Sequence, residues 1–217
     1  MSEIRVNNII ADNGLDAVNF TKGINATGIV TATSFSGTIP SSNLSGALPA
    51  ISGANLTGLS SSLSVADIWR VNAQFSSNNS YAYITSNWER ADTGNSGKIG
   101  TGMTQSSGVF TYPSTGIYLV QYGAWANTTS SAHTVGINIQ STVDNGNNYT
   151  FDASSYFSIP NISTYSYGGG TCQHIFDVTN VSTHKSRMAV YSSSNVTWEG
   201  STSGNGVYVS FIRLGDT

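Results

Sequence analysis

The sequence predicts an all-β chain in two parts, a thin repeat-built N-terminal stalk and a C-terminal β-sandwich or jelly-roll head. Three observations predict it. Alternating apolar and polar residues recur from Asp67 onward, no stretch of useful length has helical periodicity, and an uncharged, glycine-punctuated segment precedes the head.

The alternation is plain in four places. Trp69, Val71, Ala73 and Phe75 alternate with Arg70, Asn72 and Gln74. Val135, Ile137 and Ile139 alternate with Gly136 and Asn138, and Tyr149, Phe151 and Ala153 repeat the pattern, as do Val207, Val209 and Phe211. Asp144-Asn145-Gly146-Asn147 is a hairpin turn between two of these strands, and Pro113-Ser114-Thr115-Gly116 marks another. About ten short strands are expected. Composition agrees. Charged residues are only 9% of the chain, against roughly a quarter in ordinary globular proteins. Ser, Thr, Asn and Gly take their place, and these are turn residues and poor helix formers. Aromatics at 11% argue against disorder.

From Gly23 to Ala66 no residue is charged, and an apolar–hydroxyl–glycine unit recurs: Phe35-Ser36-Gly37, Leu44-Ser45-Gly46, Ile51-Ser52-Gly53 and Leu56-Thr57-Gly58. Each unit offers about one large apolar side chain, too little for a single chain to offset its own entropy. Three intertwined copies would place Phe35, Leu44, Ile51 and Leu56 on a common axis. The missing charges fit, because one charge at that axis becomes three like charges face to face. A flexible Gly/Ser linker is the alternative, and the recurring Leu, Ile and Phe speak against it. In residues 1–22, Ile4, Val6, Ile9 and Ile10 sit among polar residues, with a turn at Asp12-Asn13-Gly14. The expected organisation is a docking segment at 1–22, a stalk at 23–66 and a head at 67–217.

Several functions are disfavoured. A net charge of -3 without a Lys/Arg cluster argues against nucleic acid and anionic membrane as partners. The single Cys172 excludes an intrachain disulfide. The start Met1-Ser2-Glu3-Ile4-Arg5-Val6 lacks the basic and apolar regions of a secretory signal, and no segment is apolar enough to span a bilayer, so synthesis in a reducing cytoplasm is expected. The Asn-x-Ser/Thr triplets, Asn43, Asn55, Asn127 and Asn195 among them, are therefore expected to be unglycosylated.

No catalytic residue, metal site or cofactor is expected. The chain has no Gly-x-Ser-x-Gly elbow, and His133, His174 and His184 fall in strands or a turn. Cys172 and His174 share one face of a strand, as two ligands could, and a threefold axis could bring three such pairs together; a buried thiol and a hydrogen-bonded His are the expected case. Asp144–Asn147 lacks the acidic residues of a calcium loop. Gly94-Asn95-Ser96-Gly97-Lys98 has Ile99 where a phosphate loop needs Ser or Thr. Glu89 and Asp92 would serve a glycosidase only across a facing groove, and a solvated turn beside Arg90 is expected instead.

Two stretches carry a family likeness. Gly108-Val109-Phe110-Thr111-Tyr112-Pro113-Ser114-Thr115-Gly116-Ile117-Tyr118-Leu119-Val120 resembles the strand–turn–strand signature of the complement globular head and tumour-necrosis-factor superfamily. Gly206-Val207-Tyr208-Val209-Ser210-Phe211-Ile212-Arg213-Leu214 is similar to its closing strand. The resemblance implies a ten-stranded jelly roll, tight homotrimers and both head termini at the stalk end. It departs from the family in having no collagen stalk. Residues 1–60, with Ser2-Glu3-Ile4-Arg5-Val6-Asn7, Thr31-Ala32-Thr33-Ser34-Phe35-Ser36-Gly37 and Gly53-Ala54-Asn55-Leu56-Thr57-Gly58-Leu59, instead resemble tail or capsid fibres of tailed bacteriophages, notably cyanophages. Together these imply a non-enzymatic virion fibre, assembled in the host cytoplasm and docked to other virion proteins through residues 1–22.

Strand direction alternates, so loops alternate between the two ends of the sandwich. The turns at Pro113–Gly116, Asp144–Asn147 and Ser182–His184 should share one end. The loops Asn127–Ala132, Pro160–Gly169 and Ser194–Asn205 should share the other, which the resemblance places away from the stalk. Those loops carry Asn127, Asn161, Tyr165, Tyr167, Asn195, Trp198 and Glu199, a mixture of rings, amides and a carboxylate suited to host-surface saccharide. Packing of the rings against a neighbouring copy, or stapling of their own loops, is the competing expectation. A purely structural role in capsid, neck or tail is the alternative function.

Overall fold

The computed structural model describes Thr27 and residues 63–91, 96–162 and 164–217. The docking segment 1–22 and the stalk-axis residues Phe35, Leu44, Ile51 and Leu56 lie outside the described residues, as do Asp92, Gly94 and Asn95. The chain separates into two units, Met1–Asn55 and Leu56–Thr217. The second carries every strand named below.

Thirteen strands are present among the described residues: β1 (Ala66–Val71), β2 (Phe75–Ser77), β3 (Ser80–Tyr83), β4 (Trp88–Arg90), β5 (Thr104–Ser106), β6 (Val109–Thr111), β7 (Gly116–Thr128), β8 (Ala132–Thr142), β9 (Thr150–Ile159), β10 (Ser166–Val178), β11 (Lys185–Ser192), β12 (Val196–Trp198) and β13 (Val207–Gly215). They form two antiparallel sheets, one of seven strands and one of six. In the first, β7 has β10 along one edge and β13 and β12 end to end along the other; β1 and β4 follow β13, and β2 follows β12. In the second, β11 has β8 along one edge, with β9 beyond it, and β6 and β3 along the other; β5 flanks β6.

The pairing is nested. β8 pairs with β9, β7 with β10, β6 with β11 and β1 with β13. A long hairpin folded over itself gives this order, with successive strands crossing between the sheets, and that is a jelly roll. Ten strands were expected. The surplus lies in short pieces such as Trp88–Arg90 and Val196–Trp198, whose three residues are too few to display alternation.

The core lies between the sheets. Val135, Ile137 and Ile139 face Tyr118, Val120, Tyr122 and Phe211, and all are buried. Phe110 meets Phe211 at 5.0 Å and Trp88 edge-on at 5.2 Å. Burial pushes the Tyr112 and Tyr122 hydroxyls above their usual range, so both stay protonated. The expected third alternating set does not hold as one face. A register shift between Ile139 and Gln140 inserts one extra residue in β9, so Phe151 opposes Gln140 and stays half-exposed while Ala153 opposes Ile139.

At one end of the sandwich the Asn145 N–H donates to Thr183 O, joining the 144–147 and 182–184 turns. Arg213 Nε donates to Thr115 O and its Nη1 to Ser64 Oγ. The segment leading into β1 therefore meets the end of β13 here. Val65 already belongs to the core. This end is called proximal. Buried Asp67 anchors it, accepting from Arg90 Nε (2.9 Å) and Nη2 (3.0 Å), the Met103 N–H (2.7 Å) and Trp69 Nε1 (3.0 Å).

The hairpin turn takes its expected form, with positive φ at Asn145 (61°) and Gly146 (92°). Bonds from Thr142 and from Asn148, through both its backbone and its side chain, hold the Asp144 carboxyl down at about 2. The free carboxyl titrates near ~3.9, so this cap is complete above that pH and is lost as pH falls through about 2. In an acid titration followed by NMR, the Asn148 amide should move with a midpoint near 2; a midpoint near that of the free carboxyl would show the cap is not formed.

Candidate binding site at the distal end

The opposite, distal end gathers the expected loops. Ser131 Oγ accepts from the Asn161 N–H (3.2 Å), Ser194 Oγ donates to Ser131 O (3.0 Å), and Thr128 Oγ1 donates to Asn195 O (2.9 Å). Asn161, Tyr165 and Asn195 are exposed on this rim.

Trp198 is not on the rim. Its indole is fully buried, donates to Ser77 Oγ at 2.9 Å and stacks on Phe75 at 6.2 Å. A ring with no exposed face cannot stack on a ligand, so Trp198 staples β12 and β2 into the core. Asn127 is buried too, with Nδ2 donating to Glu199 Oε1, while Gln74 Nε2 donates to Glu199 Oε2 at 2.6 Å. That triad ties β12 to the β1–β2 connection and leaves little of the Glu199 carboxylate for a ligand.

The loop expected at Pro160–Gly169 is shorter, because β10 begins at Ser166 and Gly168-Gly169-Gly170 pair in register with Ala126, Trp125 and Ala124 of β7. Glycine is needed here for close approach, not for turning. A Cβ on Gly168 would fall 2.8 Å from Ile159 Cγ1, one on Gly169 2.8 Å from Trp125 Cβ, and one on Gly170 2.5 Å from Ser155 Oγ. Tyr167 is thereby on the strand, its ring 5.5 Å from that of Trp125. Trp125, Tyr208, Gly169, Gly170, Thr171, Asn205 and Gly206 line a shallow, open cleft of about 420 Å³ on the outer face of the first sheet. The sequence pointed to Tyr167 and missed Trp125 and Tyr208. Both sit at outward positions of strands whose inward positions are apolar, and that was the available signal.

Toward the proximal end one row of the same face is apolar. Across β1, β13, β7 and β10 one row reads Ala66, Ile212, Leu119, Ile175, and the next Ile68, Ser210, Gln121, Gln173. Ile175 is 61% exposed. Neither row carries a charge.

The other polar groups are in structural positions. Glu89 lies on β4, not in a turn, and accepts from buried Arg70 (2.7 Å) and from Asn72 (3.2 Å). Cys172 and His174 lie on the inward side of β10, Cys172 in the core and the His174 ring 5.9 Å from Phe176. Burial pushes the Cys172 thiol up to about 11. His174 Nε2 lies 4.0 Å from Asp152 Oδ1, and His184 is held by Thr179 and Thr183. His133 is exposed on β8. Among the described residues, no three of His, Cys, Asp and Glu cluster as metal ligands do.

Fold and site together define a jelly-roll domain that offers one sheet face and one loop-lined end for contact. No protein-family model and no curated protein matches the chain. Among solved structures it is similar to murine APRIL at pH 5.0, at 12% identity over 69% of this chain and 99% of that one, with a TM-score of 0.49. It is also similar to Eiger TNF from S. frugiperda, at 13% identity over 70% of this chain and 93% of that one, with a TM-score of 0.49. The jelly roll itself stands on the nested strand pairing.

Proposed function

We propose that the chain is a structural fibre protein of a phage virion, a tail or capsid fibre, that works as a homotrimer and presents its head for attachment to host-surface glycan. One observation carries this: among the described residues, the outer face of the first sheet leaves uncovered an apolar row, Ala66, Ile212, Leu119 and Ile175, beside a second uncharged one. Burying such surface is worth about 25 cal/mol per Å², and contiguous apolar patches on soluble proteins mark contact sites. Self-association through Leu119, Ile175 and Ile212 supplies the cover. Three copies are what the stalk repeats require, since each repeat unit has too few apolar side chains to form a core alone. The likeness of residues 1–60 to phage fibres supports the virion assignment, with residues 1–22 docking on the particle.

The distal rim, with Tyr165, Asn161 and Asn195 exposed beside Tyr167, is the attachment surface. The internal roles of Trp198, Asn127 and Glu199 favour a second function, a purely structural or decoration protein of capsid, neck or tail. Light scattering of the full chain at micromolar concentration should give three times the 22.8 kDa chain mass; a monomer would sink the proposal. A Tyr165→Ala, Tyr167→Ala variant should stay trimeric and lose about tenfold in adsorption to host cells. Unchanged adsorption would favour the structural role, and a dissociated trimer would make these rings part of the interface.

A further inference from the structure

The outer face of the second sheet carries an aromatic cluster built around a cation. Arg187 on β11 has its guanidinium between two tyrosine rings, 3.6 Å from the centroid of Tyr83 and 3.5 Å from that of Tyr149. Its Nε donates to Gln140 Oε1 at 2.9 Å. Gln140 Nε2 donates to the Tyr81 hydroxyl at 2.7 Å, that hydroxyl donates to Asn138 Oδ1 at 2.7 Å, and Asn138 Nδ2 donates to Ala153 O at 2.6 Å. The chain of bonds fixes both amides and Tyr81, and burial keeps the Tyr81 hydroxyl protonated.

Two features of this cluster point to a ligand. First, Arg187 has no carboxylate partner among the described residues. The acid that bears on its Tyr149 clamp, Asp144, is occupied by Thr142 and Asn148. A guanidinium held by two rings and one amide keeps its Nη edge for an anion. Second, two further rings on the same sheet are exposed, Phe151 opposite Gln140 and Tyr156 opposite Gly136, four positions further along β8. Tyr156 lies over Gly136, where a Cβ would fall 2.5 Å from its Cε1, yet it is 57% exposed. Phe151 is 49% exposed and lies 6.2 Å from Tyr81.

We propose that this face binds a carboxylate-bearing saccharide, with Arg187 taking the carboxylate and Phe151 and Tyr156 stacking on apolar sugar faces. Charge complementarity argues for the carboxylate, and exposed rings on a sheet face, Tyr156 laid over Gly136 among them, argue for a pyranose of an oligosaccharide long enough to span them. An extended peptide would instead use a sheet edge or a groove. The site lies on the opposite sheet from the self-association face and requires neither trimer nor virion.

The test is calorimetric titration of the full chain with tetragalacturonate, a hyaluronan tetrasaccharide and sialyllactose, beside carboxyl-reduced tetragalacturonate and a glutamate tetrapeptide. At least one acidic sugar should bind, and its reduced or neutral counterpart should bind about tenfold more weakly or worse. Arg187→Gln should abolish the preference for the acid. Tyr156→Ala, at a largely exposed ring, should weaken binding severalfold with an unchanged circular dichroism spectrum. Failure of all three acidic sugars, equal binding of the neutral form, or indifference to Tyr156→Ala in a folded protein would each overturn the proposal. Binding of the glutamate peptide at equal strength would overturn it in favour of a protein partner. None of these readouts depends on chain mass or host adsorption.

Discussion

Asp67→Ala is expected to cost the jelly roll about 3 kcal/mol or more, the usual scale for removing one partner of a buried ion pair. The reason is the number of groups that lose their acceptor together. Arg90 gives two bonds to this carboxylate, Trp69 Nε1 one and the buried Met103 N–H one. Arg90 is about one-third exposed and can turn to water, but the Met103 N–H cannot. Asp67→Asn keeps the shape and part of the bonding, so it should cost less than the alanine variant. Urea denaturation of both variants is the measurement. A loss below about 1 kcal/mol for Asp67→Ala would mean that the proximal end is held by packing alone.

Gly206→Ala is expected to destabilise by about 2–3 kcal/mol, in the range for overpacking against backbone. Its Cβ would collide with Glu199 O and fall 2.7 Å from Trp125 Nε1. Both neighbours are fixed. The Trp125 N–H donates to Gly206 O, and the Glu199 N–H donates to Trp125 O. Relief therefore requires the 199–206 loop to lift off β7, opening the distal cleft. Thermal melting should show the loss, and Trp125 fluorescence should report the opened cleft. A neutral variant would mean that this loop yields at little cost.

Long strands were readable because their inward positions are apolar over many residues: Val135, Ile137 and Ile139, or Val207, Val209 and Phe211, repeat the signal. Loop positions followed, since strand direction alone decides the end at which each turn falls. The site was less readable, for three separate physical reasons. Gly168-Gly169-Gly170 has the composition of a loop, but it serves close approach between strands. Trp198 sits in a segment too short to reveal which way it faces, and only the partner Ser77, far away in sequence, explains its burial. The bulge in β9 shifts Phe151 outward by register, which no local pattern encodes. The Arg187 clamp escaped notice for a related reason: its members come from three strands and the turn before a fourth, and only the sheet brings them together.

The position of β1 has a mechanical consequence. Ala66–Arg70 pair with β13 on one side, and Trp69–Val71 pair with β4 on the other. The chain enters this strand at the proximal end. A pull between that point and the distal loops acts along β1, while its ladder bonds lie perpendicular to it. The load is then shared by both ladders at once as shear, and the bonds do not open one after another as in a peeled edge. The domain should resist tension along β1 far better than it resists being pried apart across the sheets.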